Sequence, residues 1–193
     1  MSPDSSKPVV LAVEDDVDVL ETYEIWLFDA YDVRTAETGD DAIKAFDDDI
    51  DAVVLDRMMP RTSGEDVLRE FRERGYDAGV VMVSALEPDE SVAALPFDAY
   101  LTKPIDKEEL RAAVDAMVER ADLDEARREH AMLAERHAAL RVYNSDAIAD
   151  TEAFEELEAA TEAAAERHGE PLDADDLVVD LSSGVEPPPG VEP

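Results

Sequence analysis

Acidic and hydroxyl side chains, together with one lysine, stand where the predicted strands of this chain end. Glu14 and Asp15 follow one apolar segment, Asp56 ends a second, and Ser84 and Lys103 follow two more. In an open α/β sheet the carboxyl ends of parallel strands meet at one edge, and ligands bind there. We therefore expect these five side chains to converge on one site.

Three carboxylates in one site repel one another and raise one another's pKa unless a cation lies among them. Oxygen ligands favour a hard ion such as Mg²⁺. A carboxylate can also attack phosphorus and form an aspartyl phosphate, and Asp56 is the candidate nucleophile. Lys103 would neutralise phosphoryl oxygens and Ser84 would donate a hydrogen bond to them. Each residue alone also fits a loop cap or an acidic surface, but together they favour phosphoryl transfer.

Five apolar segments rich in β-forming residues predict strands at 9–13, 31–36, 52–56, 79–83 and 97–101. Helical periodicity predicts helices at 17 to about 29, from 39, from 63 to 75, and from 106. Between the last two strands there is room for only a turn or two of helix. Strands that alternate with helices predict a doubly wound, five-stranded parallel sheet in an α/β domain at 7–120, after a loose N-terminus at 1–6.

An apolar seam with heptad spacing marks residues 121–170. Its members are Leu123, Ala126, His130, Leu133, His137 and Leu140, and then Phe154, Leu157, Thr161, Ala164 and His168. The interruption at 142–150 predicts two antiparallel helices, that is, an α-helical hairpin. Its thin seam needs a partner surface, either the first domain or a second copy. Residues 171–193 are acidic and Pro-rich, which predicts a disordered tail.

The chain has a formal net charge of −34, with 51 acidic residues against 17 Lys and Arg. Such a surface repels itself in dilute buffer, but at molar salt the Debye length falls to about 3 Å and the repulsion is screened. We therefore expect a cytoplasmic protein of a salt-rich cell. The chain has no Cys for disulfides or thiolate chemistry. It also has no apolar run long enough for a membrane span, and no dense basic patch for nucleic acid.

Four motifs occur in order along residues 7–120. They are Val-Glu-Asp-Asp at 13–16, Leu-Asp-Arg-Met-Met-Pro at 55–60 with Gly64, Ser-Ala at 84–85, and Tyr-Leu-Thr-Lys-Pro at 100–104. In these motifs the chain resembles the receiver domain of two-component response regulators. The resemblance implies a flavodoxin-like strand order of 2-1-3-4-5. The segment between Ser84 and Lys103 is shorter than in most receivers, so we expect an abbreviated fourth helix. The usual dimerisation of receivers through the fourth helix and the fifth strand is therefore not carried over to this chain.

The resemblance also implies a role for each site residue. Asp56 would be the phosphoacceptor for a sensor histidine kinase, and Ser84 and Lys103 would hold the phosphoryl oxygens. Tyr100 would be the switch that turns inward as Ser84 moves toward the phosphate, and Lys103 would precede a cis peptide bond to Pro104. The ligands of the Mg²⁺ cofactor would be Glu14, Asp15, Asp56 and the backbone carbonyl of Met58.

The helical region at 121–170 resembles the HalX domain, which follows receivers in salt-loving archaea. That resemblance implies an output domain that regulates transcription or a protein partner, with a possible homodimer through the hairpin. Residues 122–169 have a net charge of −8, from 13 acidic residues against 5 Arg. Nothing in them looks like a helix-turn-helix, so DNA binding is possible but not supported by charge.

Two other functions are compatible with the same residues. An aspartyl phosphatase would also use Asp56 and Mg²⁺, but haloacid dehalogenase-type enzymes carry a second Asp two residues after the nucleophile, where this chain has Met58. The other alternative keeps the receiver as a protein-interaction module or phosphate sink without DNA binding. We expect a phosphoacceptor rather than an enzyme.

Overall fold

A computed structural model of the chain describes residues 7–86, 88, 95–121, 133 and 152–168. Several predicted features lie outside these residues. They are the loose N-terminus at 1–6, most of the segment between the fourth and fifth strands, the first helix of the hairpin apart from Leu133, the interruption at 142–150, and the tail at 171–193.

Five parallel strands form one sheet in the order β2-β1-β3-β4-β5. Their bounds are β1 Val9–Val13, β2 Asp32–Ala36, β3 Ala52–Asp56, β4 Gly79–Ser84 and β5 Ala99–Thr102. The central strand β3 is buried at every residue, whereas β2 lies at an edge and is partly exposed. This confirms the predicted doubly wound sheet and its order, with strand ends that differ from the prediction by one or two residues.

Five helices are described: α1 Val17–Leu27, α2 Gly39–Ala45, α3 Gly64–Glu73, α4 Lys107–Ala121 and α5 Glu152–His168. Short polar side chains start α1 and α3, as the sequence predicts. The Asp16 carboxylate accepts hydrogen bonds from two backbone amides at the start of α1. Ser63 and Asp66 form a reciprocal capping box at the start of α3. Such caps contribute about 1 kcal/mol each, and they fix where each helix leaves the sheet.

Helices cover both faces of the sheet because alternate strand residues point to opposite sides. On one face, Tyr23 and Leu27 of α1 and Leu110 and Val114 of α4 belong to one buried apolar cluster. The other face carries a second cluster that includes Ala42 of α2 together with residues of α3, namely Val67, Leu68 and Phe71. This arrangement leaves the carboxyl ends of β1, β3, β4 and β5 free to form a site.

Helix α5 coincides with the predicted second helix of the hairpin. Its seam residues Leu157 and Ala164 are buried, and they belong with Leu133 to the same apolar cluster as α2 and α3. The Thr161 hydroxyl donates to the carbonyl of Leu157 at 2.8 Å and to that of Leu133 at 3.5 Å. The hairpin itself stays a prediction. Among the helices described, none has the length and apolar character required to cross a bilayer.

Candidate functional site

The backbone at the carboxyl edge of the sheet continues the strand pairing one residue past β1 and β3. The amide of Glu14 donates to the carbonyl of Ala36 at 3.1 Å, and the amide of Arg57 donates to that of Val83 at 2.8 Å. Because Glu14 follows β1 directly and Asp56 ends β3, both side chains are held by hydrogen-bonded backbone. The site is therefore built on the sheet rather than on free loops.

Glu14, Asp15 and Asp56 form a cluster in which one carboxylate oxygen of each lies within 4.8 Å of the others. Glu14 is 2% exposed and Asp56 4%, whereas Asp15 is exposed to solvent. Three oxygen donors at this spacing, one of them open to water, fit a hard ion that keeps part of its hydration shell. These residues therefore suit Mg²⁺.

Lys103 lies between the two buried carboxylates. Its Nζ is 2.7 Å from Oε2 of Glu14 and 3.0 Å from Oδ1 of Asp56. Its backbone amide donates to the carbonyl of Ser84 at 2.7 Å, so the lysine is tied to the end of β4. The peptide bond from Lys103 to Pro104 is cis, as the family resemblance implies.

The charges in this cluster do not balance. Burial raises the pKa of the Glu14 carboxyl, the hydrogen bond from Lys103 lowers it, and repulsion from Asp56 raises it, with a net shift above its ordinary value. Burial lowers the pKa of Lys103, but the hydrogen bonds to Glu14 and Asp56 more than offset this and raise it above its usual range. One ammonium thus pairs with two of the three clustered carboxyl groups, and a further cation would relieve the repulsion among them.

Ser84 and Tyr100 meet at the backbone of Leu86. The buried Ser84 Oγ accepts a hydrogen bond from the Leu86 amide at 3.1 Å. The Tyr100 hydroxyl donates to the Leu86 carbonyl at 2.8 Å, and the side chain is only 1% exposed, so Tyr100 lies inward in this structure. Ser84 is one residue beyond Val83, which pairs with Asp56 in the sheet.

The loop after β3 is held close beneath the site. The Met58 amide donates to Oδ2 of Asp56 at 3.2 Å, and the Met58 side chain is 57% exposed at the rim. A Cβ at Gly64 would lie 2.2 Å from the carbonyl oxygen of Asp56, so only glycine allows α3 to start here. The predicted site residues are therefore brought together. Glu14 and Asp56 bond Lys103, Asp15 lies beside these two carboxylates, and Ser84 and Tyr100 both bond the backbone of Leu86.

Arg57 is a residue that the sequence reasoning did not assign. It is 5% exposed, and its Nε donates to Oε1 of Glu65 at 2.8 Å. Burial lowers the pKa of the guanidinium, but hydrogen bonds to Glu65 and Tyr100 raise it by more, so it stays protonated. The sequence feature that could have pointed to Arg57 is its position directly after a fully apolar strand. A charged residue that is buried there needs a partner.

Comparison with known proteins shows where this arrangement recurs. The family model described as "Response regulator receiver domain" matches residues 10–115. A Haloferax volcanii protein named "Putative transcriptional regulator" is 38% identical over 165 residues, which are 85% of this chain and 28% of that protein. The response regulator MprA of Mycobacterium leprae is 39% identical over 128 residues, which are 64% of this chain and 56% of the relative.

Among solved structures, a signal receiver domain from Vibrio parahaemolyticus superposes with a TM-score of 0.56 and 28% identity, covering 62% of this chain and 95% of that one. The chain spans little over a quarter of the Haloferax relative and just over half of the mycobacterial one. The match to the receiver model covers more than half of the chain, at the residues that form the sheet and the acidic site. The chain therefore belongs to the response regulator receiver family, whose members accept a phosphoryl group from sensor histidine kinases and bind Mg²⁺ at an acidic pocket.

Proposed function

We propose that this chain is a response regulator of a phosphorelay and that Asp56 is its phosphoacceptor. The observation that carries the proposal is the placement of Asp56, buried at the end of the central strand and 3.0 Å from Lys103. No other acid among the residues described shares Lys103 except Glu14. The small, exposed Ala85, which follows Ser84, would leave the approach to Asp56 open.

The proposed reaction transfers a phosphoryl group from a phosphohistidine of a sensor kinase. A carboxylate oxygen of Asp56 attacks phosphorus, a P–O bond forms, and the P–N bond of the donor breaks. The released imidazole nitrogen takes a proton from solvent. Lys103 then lies where its ammonium can bind an oxygen of the transferred group, and the Ser84 hydroxyl can donate to another.

Glu14, Asp15 and Asp56 would hold Mg²⁺ with the backbone carbonyl of Met58, and exposed Asp15 is the ligand most open to the hydrated ion. When bound, Mg²⁺ neutralises part of the negative charge on the phosphoryl group. Lys103 would keep its place beside Asp56 by its backbone bond to Ser84. Met58 stands where an aspartyl phosphatase needs its second acid, which argues against enzymatic turnover.

The helical region would read the state of the receiver and act as a HalX-like output domain. Support comes from the apolar cluster that contains both Tyr100 and the seam residues Leu157 and Ala164. A change at Tyr100 can therefore alter packing that α5 shares. The Haloferax relative, which aligns with 85% of the chain, is named as a regulator of transcription, and we infer an output in transcription or in binding a protein partner.

The phosphoacceptor is tested by intact mass after incubation with Mg²⁺ and acetyl phosphate in molar KCl. Wild type should gain one phosphoryl group, and Asp56→Asn should gain none. Asp49→Asn is the matched control, because Asp49 is a largely exposed acid outside the cluster and its loss should change nothing. Phosphorylation of Asp56→Asn, or none of folded wild type, would contradict the proposal.

The output role needs a separate measurement. Sedimentation in molar KCl, with and without beryllofluoride as a phosphoryl mimic, should show a change in self-association that Asp56→Asn lacks. Footprinting on the protein's own upstream DNA tests whether the output binds DNA or only a protein partner. Hydrolysis of a chromogenic phosphate ester tests the alternative of an aspartyl phosphatase. If the activated chain shows no change in self-association, no footprint on DNA and no bound partner, the function that remains is that of a phosphate sink.

A further inference from the structure

The loop between β3 and α3 contains a strained turn centred on Arg61. The amide of Thr62 donates to the carbonyl of Pro60 at 2.9 Å, which closes a three-residue turn around Arg61. The φ of Arg61 is +70°, and among the residues described it is the only non-glycine residue with a positive φ. These features are those of a classic γ-turn, which is rare and strained. Such a conformation persists only where neighbouring contacts enforce it.

Helix α2 supplies contacts of this kind to Thr62. The Thr62 hydroxyl donates to Oδ1 of Asp40, in the first turn of α2, at 2.9 Å. A Cβ at the preceding Gly39 would lie 2.7 Å from the Thr62 carbonyl oxygen and 2.8 Å from its Cγ2. Helix α2 therefore approaches the loop as closely as a glycine allows, and Thr62 is held there by a hydrogen bond as well as by packing.

The rest of the loop is closed at its base and anchored in the core. The amide of Gly64 donates to the carbonyl of Arg57 at 3.0 Å. The side chain of Met59 is buried in the apolar cluster that also contains residues of α2 and α3. Met58 stands between these anchors, with its amide 3.2 Å from Oδ2 of Asp56. A shift of the turn within this closed loop would therefore reach Met58.

We propose that Thr62 is a positioning residue: its hydrogen bond to Asp40 holds the strained turn at Arg61 and so arranges the loop that carries Met58 for Mg²⁺ before the ion binds. This role rests on the proposed function, in which the Met58 carbonyl is a metal ligand. Neither Thr62 nor Asp40 belongs to the cluster of carboxylates, so both act through the loop.

A preformed loop has two consequences for metal binding. The apparent Kd is lower, because no population of other loop conformations has to be reorganised when the ion binds. The site also prefers Mg²⁺ to Ca²⁺, because Mg²⁺ demands a nearly ideal octahedral set of ligands whereas Ca²⁺ accepts irregular ones. Release of the turn should therefore weaken the binding of Mg²⁺ more than that of Ca²⁺.

The test compares metal binding by the full chain in molar KCl, with no phosphoryl donor present. Titrations followed by amide NMR shifts give the Kd values of Mg²⁺ and Ca²⁺ for wild type and each variant. Thr62→Val keeps the shape of the side chain and removes the hydrogen bond to Asp40, whereas Thr62→Ser keeps the hydroxyl. Thr22→Val is the matched control, because the Thr22 hydroxyl also donates to an oxygen of its own neighbourhood, the carbonyl of Asp18 at 2.8 Å, but on α1.

Thr62→Val should weaken Mg²⁺ binding by about threefold to tenfold, the range expected for one net hydrogen bond, and Ca²⁺ binding by less. Thr62→Ser and Thr22→Val should bind both ions as wild type does. The ratio of the two affinities separates positioning from a merely structural role, because a general loss of stability does not favour one ion. Equal Mg²⁺ binding by wild type and Thr62→Val, or equal weakening for both ions, would overturn the proposal.

Asp40→Ala breaks the same hydrogen bond from the exposed side, and it serves as the test if Thr62→Val does not fold. It should weaken Mg²⁺ binding to a similar degree, and the double variant should bind no more weakly than either single variant. Asp49→Ala removes the same charge from an exposed acid outside the loop and should have no effect. Additive effects of Thr62→Val and Asp40→Ala would show that the two residues do not act through their hydrogen bond, which overturns the proposal.

The same titrations distinguish failure of this role from failure of the proposed function. Wild type that binds no Mg²⁺ would refute the metal site itself, and the role of Thr62 with it. Wild type and Thr62→Val that bind Mg²⁺ equally well would leave the metal site in place and overturn only the role of Thr62.

Discussion

Lys103 and Asp56 come from strands that do not pair with each other, yet Nζ of the lysine lies 3.0 Å from Oδ1 of the aspartate. The same Nζ lies 2.7 Å from Oε2 of Glu14, which follows a third strand. One cation thus links the ends of β1, β3 and β5 across the carboxyl edge of the sheet. The site and the stability of the sheet edge therefore depend on the same three side chains.

Replacing Lys103 by Met should destabilise the fold in the absence of Mg²⁺. It leaves two buried carboxylates without their cation, and breaking a buried pair in this way costs about 3 kcal/mol. The measurement is the free energy of unfolding by denaturant in molar KCl. Lys44→Met is the control, because Lys44 is 74% exposed and its surface pair with Asp41 should contribute little to stability. Equal losses in the two variants would contradict the buried role of Lys103.

Glu14→Gln should change how stability depends on pH. The raised pKa of Glu14 means that the folded state binds its proton more tightly than the unfolded state does. Its stabilising contribution is therefore fully present below the unfolded pKa of about 4.3 and is lost as pH rises through the folded pKa. The neutral amide of the variant mimics the protonated carboxyl, so without Mg²⁺ the variant should gain stability relative to wild type as pH rises toward neutrality.

The free energy of unfolding of wild type and of Glu14→Gln is measured with denaturant at a series of pH values in molar KCl. The difference between the two proteins at each pH removes the contribution of the other acids of the chain. A difference that stays constant over the whole series would show that Glu14 keeps an ordinary pKa in the folded state. A difference of opposite slope would mean that the ion pair with Lys103 outweighs burial and the repulsion from Asp56.

Mg²⁺ should stabilise the folded chain through Asp15. A ligand that binds only the folded state adds about 2.7 kcal/mol at a hundred times its Kd. Asp15 is exposed, so Asp15→Asn should leave the metal-free stability nearly unchanged while removing most of the gain from Mg²⁺. Asp16→Asn is the control, because it makes the same charge change at the adjacent residue. Asn caps a helix as well as Asp does, so the start of α1 should be unaffected. Equal responses of the two variants to Mg²⁺ in thermal unfolding would remove Asp15 from the site.

Strands could be predicted well because burial on both faces produces a continuous apolar run, as in β3, where every residue is buried. Their ends were less predictable. Phe97 is fully buried and was included in the fifth strand, yet the strand begins at Ala99. Hydrophobicity marks burial rather than strand pairing, and the side chain of Asp98 turns back to accept from the amide of Val80 at 2.7 Å.

The site was predictable to the extent that parallel strands bring their carboxyl ends together. Glu14, Asp56 and Lys103 could be grouped from chain order alone. Arg57 could not, because its burial depends on Glu65 and Tyr100 arriving from α3 and β5. Packing of α3 and β5 against β3 brings these partners to Arg57, and no local spacing in the sequence indicates that packing.

Gly64→Ala should disturb the site as well as the fold. The added methyl would lie 2.2 Å from the Asp56 carbonyl oxygen and 3.0 Å from Cα of Arg57, so the backbone must move. Overpacking of this kind costs about 1–3 kcal/mol. Acceptance of a phosphoryl group from acetyl phosphate should slow at the same time. Gly75→Ala, where nothing lies within 4 Å but φ is +79°, should lose stability by left-handed strain and keep the normal phosphorylation rate.

Arg72 should be the arginine of α3 on which the fold depends most. Its Nη2 lies 2.7 Å from Oδ2 of Asp98, and its other nitrogens donate to the carbonyls of Tyr76, Ala78 and Pro96. The side chain of Asp98 is 7% exposed, so Arg72→Met would leave a buried carboxylate without this cation. We expect a loss of about 3 kcal/mol.

Arg69→Met on the same helix is the control, since Arg69 is 50% exposed and its pairs contribute about 1 kcal/mol or less. Unfolding is measured in about 1 M and about 3 M KCl, where the Debye length is about 3 Å or less. The cost of Arg72→Met should persist at both salt concentrations because burial protects the pair from screening. Were it to fall to the level of Arg69→Met, the buried and the exposed ion pairs would be equivalent, and burial would not protect the Arg72–Asp98 pair.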